Sequence, residues 1–192
     1  FYGNNTLQEI VIPTSVTSIG YGAFSELLSL STIVIPGSIG TIDEELFYGC
    51  TNLSNLTISN GITNIEGSAF SDCYSLSSVS IPNSVTSIGS YAFGNCSSLT
   101  SILIPDSVTS LDTMAFRGCE RLADIIVSSG NSIYSSDRGV LFDKNQETLI
   151  IYPAGKSEST YDIPLTVTSI GTYAFVDCIN ITDITIPNSV TT

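Results

Sequence analysis

A 23-residue period runs through most of the chain. Phenylalanine recurs at this spacing and then once more after a gap of 59 residues, at Phe1, Phe24, Phe47, Phe70, Phe93, Phe116 and Phe175. Leucine and proline recur in the same phase, and the shared unit is L-x-x-I-x-I-P-x-S-V-T-S-I-G-x-x-A-F-x-x-C-x-x. Each unit has about eight apolar positions, too few to close a core alone. The period therefore predicts a solenoid of about eight coils that bury their apolar side chains against one another.

Each part of the unit predicts a local structure. The I-x-I segment alternates inward and outward like a half-buried strand that proline ends, so successive copies should form a parallel sheet. The second apolar pair, such as Val85 and Ile88, is compatible with a short strand or a tight turn on another face. The A-F-x-x-C segment predicts one helical or 3-10 turn with Ala, Phe and Cys inward. An acid just before it, such as Asp112, suits the start of that turn.

The period is interrupted between residues 128 and 163, where the chain is 13 residues longer than two regular units require. Residues 139–143 (GVLFD) and 148–152 (TLIIY) are two short apolar runs, which predict a β-hairpin that either projects or joins the sheet. The connection from Asp143 to Glu147 has oxygen-bearing side chains at alternate positions, as in a calcium loop. A hairpin turn explains it better, because Thr148 stands where the loop glycine belongs and no distal glutamate follows. We expect no metal site.

The cysteines share one position of the repeat: Cys50, Cys73, Cys96, Cys119 and Cys178. They should stack in a column inside the coil, where free cysteine packs as a small apolar residue. An odd number at one phase is not a disulfide framework, although neighbouring coils are close enough to allow pairing. Buried free thiols are the favoured interpretation over disulfides and over a metal or reactive role.

Charge and composition exclude several functions. Eighteen acids, five bases and no histidine give a net charge of −13, which repels nucleic acid and anionic lipid surfaces. Without histidine no Ser-His or Cys-His catalytic arrangement can form, and we expect neither an enzyme nor a cofactor. No apolar run approaches the length of a membrane span, so no membrane insertion is expected from this segment.

The outward residues of the first strand vary while their inward neighbours do not. They are the candidate ligand-binding residues of the chain: Val11, Val34, Thr57, Ser80, Leu103, Ile126 and Thr185. If this strand lines the concave face of the coil, they form a row on which a partner would sit, and an exposed apolar patch often marks an interface. The alternative is that they are ordinary β-branched strand formers half covered by neighbouring loops.

The unit resembles the BspA-type leucine-rich repeat. The resemblance is carried by residues 81–89 (IPNSVTSIG), followed by Ala92, Phe93 and Cys96, and it extends over nearly the whole chain. Even the interrupted region, with residues 139–142 (GVLF) and 152–156 (YPAGK), is similar to a variant unit of that family. Some positions depart from the pattern: Asn4 and Leu27 replace the cysteine, and Ser59 and Ser128 replace the proline. The implied fold is a right-handed leucine-rich-repeat coil, mainly β and irregular, with a parallel sheet face and short helical turns.

The resemblance also implies a function. Proteins of this family are typically secreted or attached to the surface of bacteria and some protists, several are adhesins, and the family has no catalytic residues to transfer. It therefore implies an extracellular or cell-surface module that binds a matrix or cell-surface protein. The alternative is a structural spacer without a ligand of its own. We expect residues 1–192 to be a single solenoid segment of a longer array, because neither end shows a polar cap. The oligomeric state is left open.

Overall fold

The computed structural model describes all residues, 1–192, as a solenoid of short strands joined by turns. With strands labelled in chain order, the I-x-I segments form a first set: β1 (Glu9–Ile10), β2 (Thr32–Ile35), β4 (Asn55–Ile58), β7 (Ser101–Ile104), β9 (Asp124–Val127), β13 (Thr160–Asp162) and β15 (Asp183–Thr185). A second set has two residues per strand: β3 (Thr41–Ile42), β5 (Asn64–Ile65), β6 (Ser87–Ile88), β8 (Ser110–Leu111) and β14 (Ser169–Ile170). The repeat solenoid with parallel strands, predicted from the period, is confirmed.

Residues 23 apart lie directly over one another. In the second set, Ile42 pairs with Ile65, Ile65 with Ile88, and Ile88 with Leu111, which makes a four-stranded parallel sheet. A turn at Val85 precedes β6, so the second apolar pair forms both a turn and a strand. Six phenylalanine rings stack behind the strands, with centroids 5.4 to 6.0 Å apart, from Phe1 to Phe116. Each coil thus completes the core of the one before it.

The first set forms a parallel sheet in three separate parts, not one continuous sheet as expected. The parts are β1-β2-β4, β7-β9 and β13-β15. The first gap falls at residues 78–81, where no strand forms. There the inward residue is Val79, smaller than Ile33 or Ile102 at the same position, and serines flank it on both sides. Val79 is only half-buried. Because less apolar surface is buried and serine has a weak strand propensity, this segment is held less firmly against the neighbouring coils.

The A-F-x-x-C segment is not a helical turn, and this expectation is corrected. Its hydrogen bonds do span three residues, as in Cys50 N–H to the Phe47 carbonyl at 3.3 Å. Left-handed residues interrupt it, however, so that consecutive turns form in place of a helix. The second residue after the phenylalanine position has positive φ in every regular unit: Gly3, Glu26, Gly49, Asp72, Asn95, Gly118 and Asp177. Ala69, Phe70 and Cys73 do point inward and are fully buried, as predicted.

The interrupted region contains a three-stranded antiparallel meander of β10 (Tyr134–Asp137), β11 (Val140–Asp143) and β12 (Thr148–Ile151). The predicted hairpin is β11 and β12, and it joins the solenoid, because β12 pairs in parallel with β14. Strand β10 was not anticipated. The chain then returns to the stack at Gly155, whose N–H donates to the Leu122 carbonyl at 2.8 Å. A Cβ at Gly155 would lie 2.3 Å from the backbone carbonyl carbon of Arg121, so only glycine fits there.

The meander separates two hydrophobic cores. The larger core runs from Phe24 to Ile151, and the smaller one contains Tyr152, Tyr161 and their neighbours. Strand β11 contributes to both, since Leu141 packs into the larger core while Val140 and Phe142 pack into the smaller one. The meander therefore lies inside the solenoid, between the two cores, and does not project from it as a loop.

Candidate binding face

The outward residues of the first strand set are exposed, as the alternation predicts. Val11 is 79% exposed, Val34 53%, and Leu103 and Ile126 49% each, while Thr57, Ser80 and Thr185 are also exposed. Parallel register places Val34 beside Thr57 and Leu103 beside Ile126. We call these seven residues the outward row. Because their inward neighbours are mostly buried, a partner on this face would meet the row before the inward side chains of the first strands.

The structure does not bring the whole row together in one sheet. Val11 directly follows β1, and Ser80 lies in the segment without a strand. Thr185 pairs with Asp162 and is separated from Ile126 by the meander. The apolar members therefore form two patches, Val11 with Val34 and Leu103 with Ile126, and polar residues lie between them. Asp162 holds the row position of the irregular unit and was missed, because the sequence there lacks the I-x-I pattern.

A second line of outward residues runs parallel to the row, two positions earlier in each strand. It is polar throughout: Glu9, Thr32, Asn55, Ser101, Asp124, Thr160 and Asp183. Register places Glu9 beside Thr32 and Ser101 beside Asp124. This line contains three acids and no base. The face thus combines exposed apolar side chains with negative charge, a combination that favours partners with apolar and basic residues.

The cysteines form the predicted column, and all five are free thiols. Each thiol donates to a main-chain carbonyl 26 residues earlier, which belongs to the phenylalanine position of the preceding coil. For example, Cys119 Sγ lies 3.0 Å from the Phe93 carbonyl oxygen, and Cys178 Sγ lies 3.3 Å from that of Tyr152. Burial raises the pKa of Cys50 and of Cys178 to about 11. Neutral, hydrogen-bonded thiols of this kind link neighbouring coils and are poor nucleophiles.

The acids singled out in the sequence have structural partners. Asp112 Oδ1 accepts the Met114 N–H at 2.8 Å, which caps the turn that follows. Asp143 Oδ1 accepts the N–H groups of Glu147 and Thr148 at 2.8 and 3.0 Å, so it closes the β11-β12 connection as the hairpin interpretation requires. No three His, Cys, Asp or Glu side chains lie together in a metal-binding arrangement. No helix has the length and apolar character to cross a membrane.

The family-model comparison finds the BspA-type leucine-rich repeat region in six copies, over residues 1–137 and 154–192. The chain belongs to the BspA-type leucine-rich repeat family. Residues 138–153, between the two matched stretches, contain all of β11 and β12. Leucine-rich repeats of this kind are repeat scaffolds of the protein-interaction type and are generally not catalytic. No curated protein matches the chain.

Solved structures of bacterial leucine-rich repeat proteins have the same fold. One from Eubacterium ventriosum is 30% identical, with a TM-score of 0.83 over 91% of this chain and 46% of its own. One from Bacteroides ovatus is 30% identical, with a TM-score of 0.64 over 91% of this chain and 42% of its own. A leucine-rich cell surface protein from Faecalibacterium prausnitzii is 25% identical, with a TM-score of 0.53 over 92% of this chain and 66% of its own. The chain thus spans about half the length of the first of these relatives.

Proposed function

We propose that this protein is a non-catalytic extracellular binding module that adheres to a protein on a host or microbial surface. The outward row is the observation that supports the proposal. Leu103 and Ile126 are adjacent in register, half-exposed and apolar, and Val11 with Val34 forms a second exposed apolar patch on the same face. Exposed neighbouring apolar side chains on a rigid sheet offer a partner surface to bury at little conformational cost.

The similarity to a cell surface protein from Faecalibacterium prausnitzii supports an extracellular location. The charge of the chain supports a protein partner over nucleic acid, because a net charge of −13 repels phosphate. A matrix or cell-surface protein that brings apolar and basic side chains to the row would match both the apolar patches and the flanking acids.

The test is a binding experiment with immobilised extracellular-matrix proteins and with intact host and microbial cells. We expect saturable binding by the parent chain and at least a tenfold loss in Leu103→Glu and in Ile126→Glu, because a buried unpaired carboxylate in an interface costs well over 1.4 kcal/mol. Leu165→Glu is the matched control, since Leu165 is 83% exposed and lies outside the row.

The spacer alternative makes the opposite prediction. A chain that only holds another domain away from the cell would show no saturable binding to any probe. Saturable binding that survives both row substitutions would show a binding module whose surface lies elsewhere.

A further inference from the structure

A polar cavity of about 220 Å³ lies in the irregular unit, outside the outward row. It is lined by Arg138, Tyr152, Lys156, Glu158, Thr160, Tyr161 and Asp162. Thr160 and Asp162 point outward from β13, beside Asp183 and Thr185 of β15. The cavity therefore adjoins the binding face where the meander divides its sheet. It is smaller than sites for drug-sized molecules, so it suits a single small group.

Two donor groups in this lining lack a hydrogen-bond acceptor. The Lys156 side chain is only 9% exposed, and its nearest carboxylate, Glu158, has Oε1 at 3.9 Å from Nζ. That distance allows charge attraction but exceeds the length of a hydrogen bond. The Tyr161 hydroxyl is buried and has no partner at all. Buried polar groups without partners are uncommon in folded proteins, because each costs roughly 1 to 3 kcal/mol.

Arg138 adds a third donor group to the cavity. Its guanidinium carbon lies 6.0 Å from the centre of the Tyr161 ring, and its Nε contacts Asp137 at 3.2 Å. Burial raises the pKa of Tyr161 to about 12, so its hydroxyl keeps its proton at neutral pH and can donate. In a chain with only five basic residues, two of them line this one cavity. These two basic residues are the signal in the sequence that could have indicated the cavity, but neither belongs to the repeat pattern.

We propose that this cavity binds a single carboxylate group of a small or terminal ligand, which accepts hydrogen bonds from Lys156, Tyr161 and Arg138. A planar carboxylate suits a guanidinium and an ammonium together. A doubly charged phosphate is disfavoured, because the acids Glu158 and Asp162 share the lining. The site goes beyond the proposed adhesion function, since none of its three donor residues belongs to the outward row.

A substitution of Glu158 should strengthen binding of the ligand, whereas most substitutions in a binding site weaken it. In the free protein Glu158 is the competing carboxylate for Lys156, and its side chain is 58% exposed and free to move away. Glu158→Gln removes this competitor and one negative charge. It should therefore strengthen binding of a carboxylate, whereas a neutral ligand with hydroxyl groups would exchange a charged acceptor for a weaker neutral one and bind more weakly.

The experiment is an NMR titration of the whole chain at fixed ionic strength with two matched pairs of probes. Glucuronate against glucose tests a carboxylate carried by a sugar, and blocked aspartate against blocked asparagine tests one carried by a peptide. We expect at least one charged probe to bind with a Kd on the order of millimolar, as suits so small a ligand. Its neutral counterpart should bind at least tenfold more weakly. The charged probe that binds identifies the source.

The variants then locate the site. Lys156→Met should weaken binding about tenfold or more and Tyr161→Phe about threefold, while Glu158→Gln should tighten it about threefold. Arg121→Met, which removes an exposed cation outside the cavity, should have no such effect. Equal binding of charged and neutral probes, weaker binding by Glu158→Gln, or no saturable shift at Arg138, Lys156 and Tyr161 would each overturn the proposal. Glu158→Gln alters an exposed side chain, so it decides the matter even if Lys156→Met fails to fold.

Discussion

The regular stack, residues 24–127, and the irregular unit, residues 128–163, fill the core of the solenoid in different ways. In the regular stack each coil repeats the one before it, and one phenylalanine per coil fills the centre. In the irregular unit three antiparallel strands replace part of one coil, and β11 sends side chains into both cores. One regular coil could replace another, whereas the irregular unit makes contacts that occur only at its own position in the chain.

Polar contacts show the same difference. The regular coils are linked by repeated, nearly identical bonds, such as those of Phe47 and Phe70 N–H to carbonyls of the next coil at 2.8 Å. The irregular unit relies on single contacts that occur once. Buried Asn131 donates to the carbonyls of Pro105 and Val108 and accepts the N–H groups of Ile133 and Tyr134, all within 2.9 Å. The Tyr134 hydroxyl in turn accepts the Leu111 N–H at 3.0 Å and so completes the edge of β8.

The largest expected effect comes from a pair of deletions. Removing residues 71–93, one whole period, should leave a shorter solenoid that unfolds cooperatively, because the join preserves phase. Removing residues 131–143 brings Phe116 and Phe175 two periods apart, yet it should abolish cooperative folding, since it deletes Asn131, β10 and β11. Circular dichroism during urea unfolding measures both. Equal stability of the two variants would contradict the distinction between repeatable coils and a unique unit.

Truncation of one ring in the phenylalanine column is the next largest effect. Phe70 is fully buried between Phe47 and Phe93, with ring centroids 5.5 and 5.4 Å away. Phe70→Ala should lower the free energy of unfolding by about 3 to 5 kcal/mol, because the cavity remains and two ring contacts are lost. Equilibrium denaturation gives the value. Phe1→Ala serves as the control, since Phe1 is 73% exposed and should cost far less.

The single amide of the irregular unit should matter somewhat less. Asn131→Ala should cost about 2 to 4 kcal/mol, because two buried carbonyls and two N–H groups lose their partner at once. Asn52→Ala is a matched control in the regular stack. There an exposed amide donates to the Leu28 carbonyl at 2.6 Å, and we expect a loss of about 0.5 kcal/mol or less. Similar losses in the two variants would show that Asn131 is no more than one hydrogen bond among many.

The smallest effect concerns the thiols. At about pH 8 a thiol with a pKa near 11 is about 0.1% thiolate, so the native protein should react slowly with a disulfide reagent. Cys178, which is half-buried, should react first, and the four fully buried thiols should react only on unfolding. Mass spectrometry of the labelled peptides gives the order. Reaction of Cys73 before Cys178 would contradict it.

The same shifts predict the pH dependence of stability. Their contribution is fully present below the unfolded thiol pKa of 9.0 and is lost as the pH rises towards 11, since the folded state retains protons that the unfolded state releases. The free energy of unfolding should therefore fall over that range. Cys50→Ala should fall less steeply than the parent.

The sequence predicted the regular stack well and the irregular unit only in part. Inward and outward positions of β2 and β7 follow directly from the alternation of their isoleucines. The left-handed turns were not predicted. Glycine, asparagine and aspartate, which tolerate positive φ, nevertheless hold six of the seven positions two residues after the phenylalanine position. The gap at residues 78–81 was not predicted, because the shared unit averages out the smaller Val79 and its flanking serines.

The sequence by itself determined the period, and through it the stacking of coils. A repeated unit that cannot bury its apolar residues alone can bury them only against the neighbouring units. Only the tertiary structure decided that β11 divides two cores, that Asn131 ties residues 105–108 to residues 131–134, and that Arg138, Lys156 and Tyr161 line one cavity. These residues occur once, and all of them lie in the irregular unit. Their contacts arise from where the irregular unit returns to the stack, and no periodicity encodes that position.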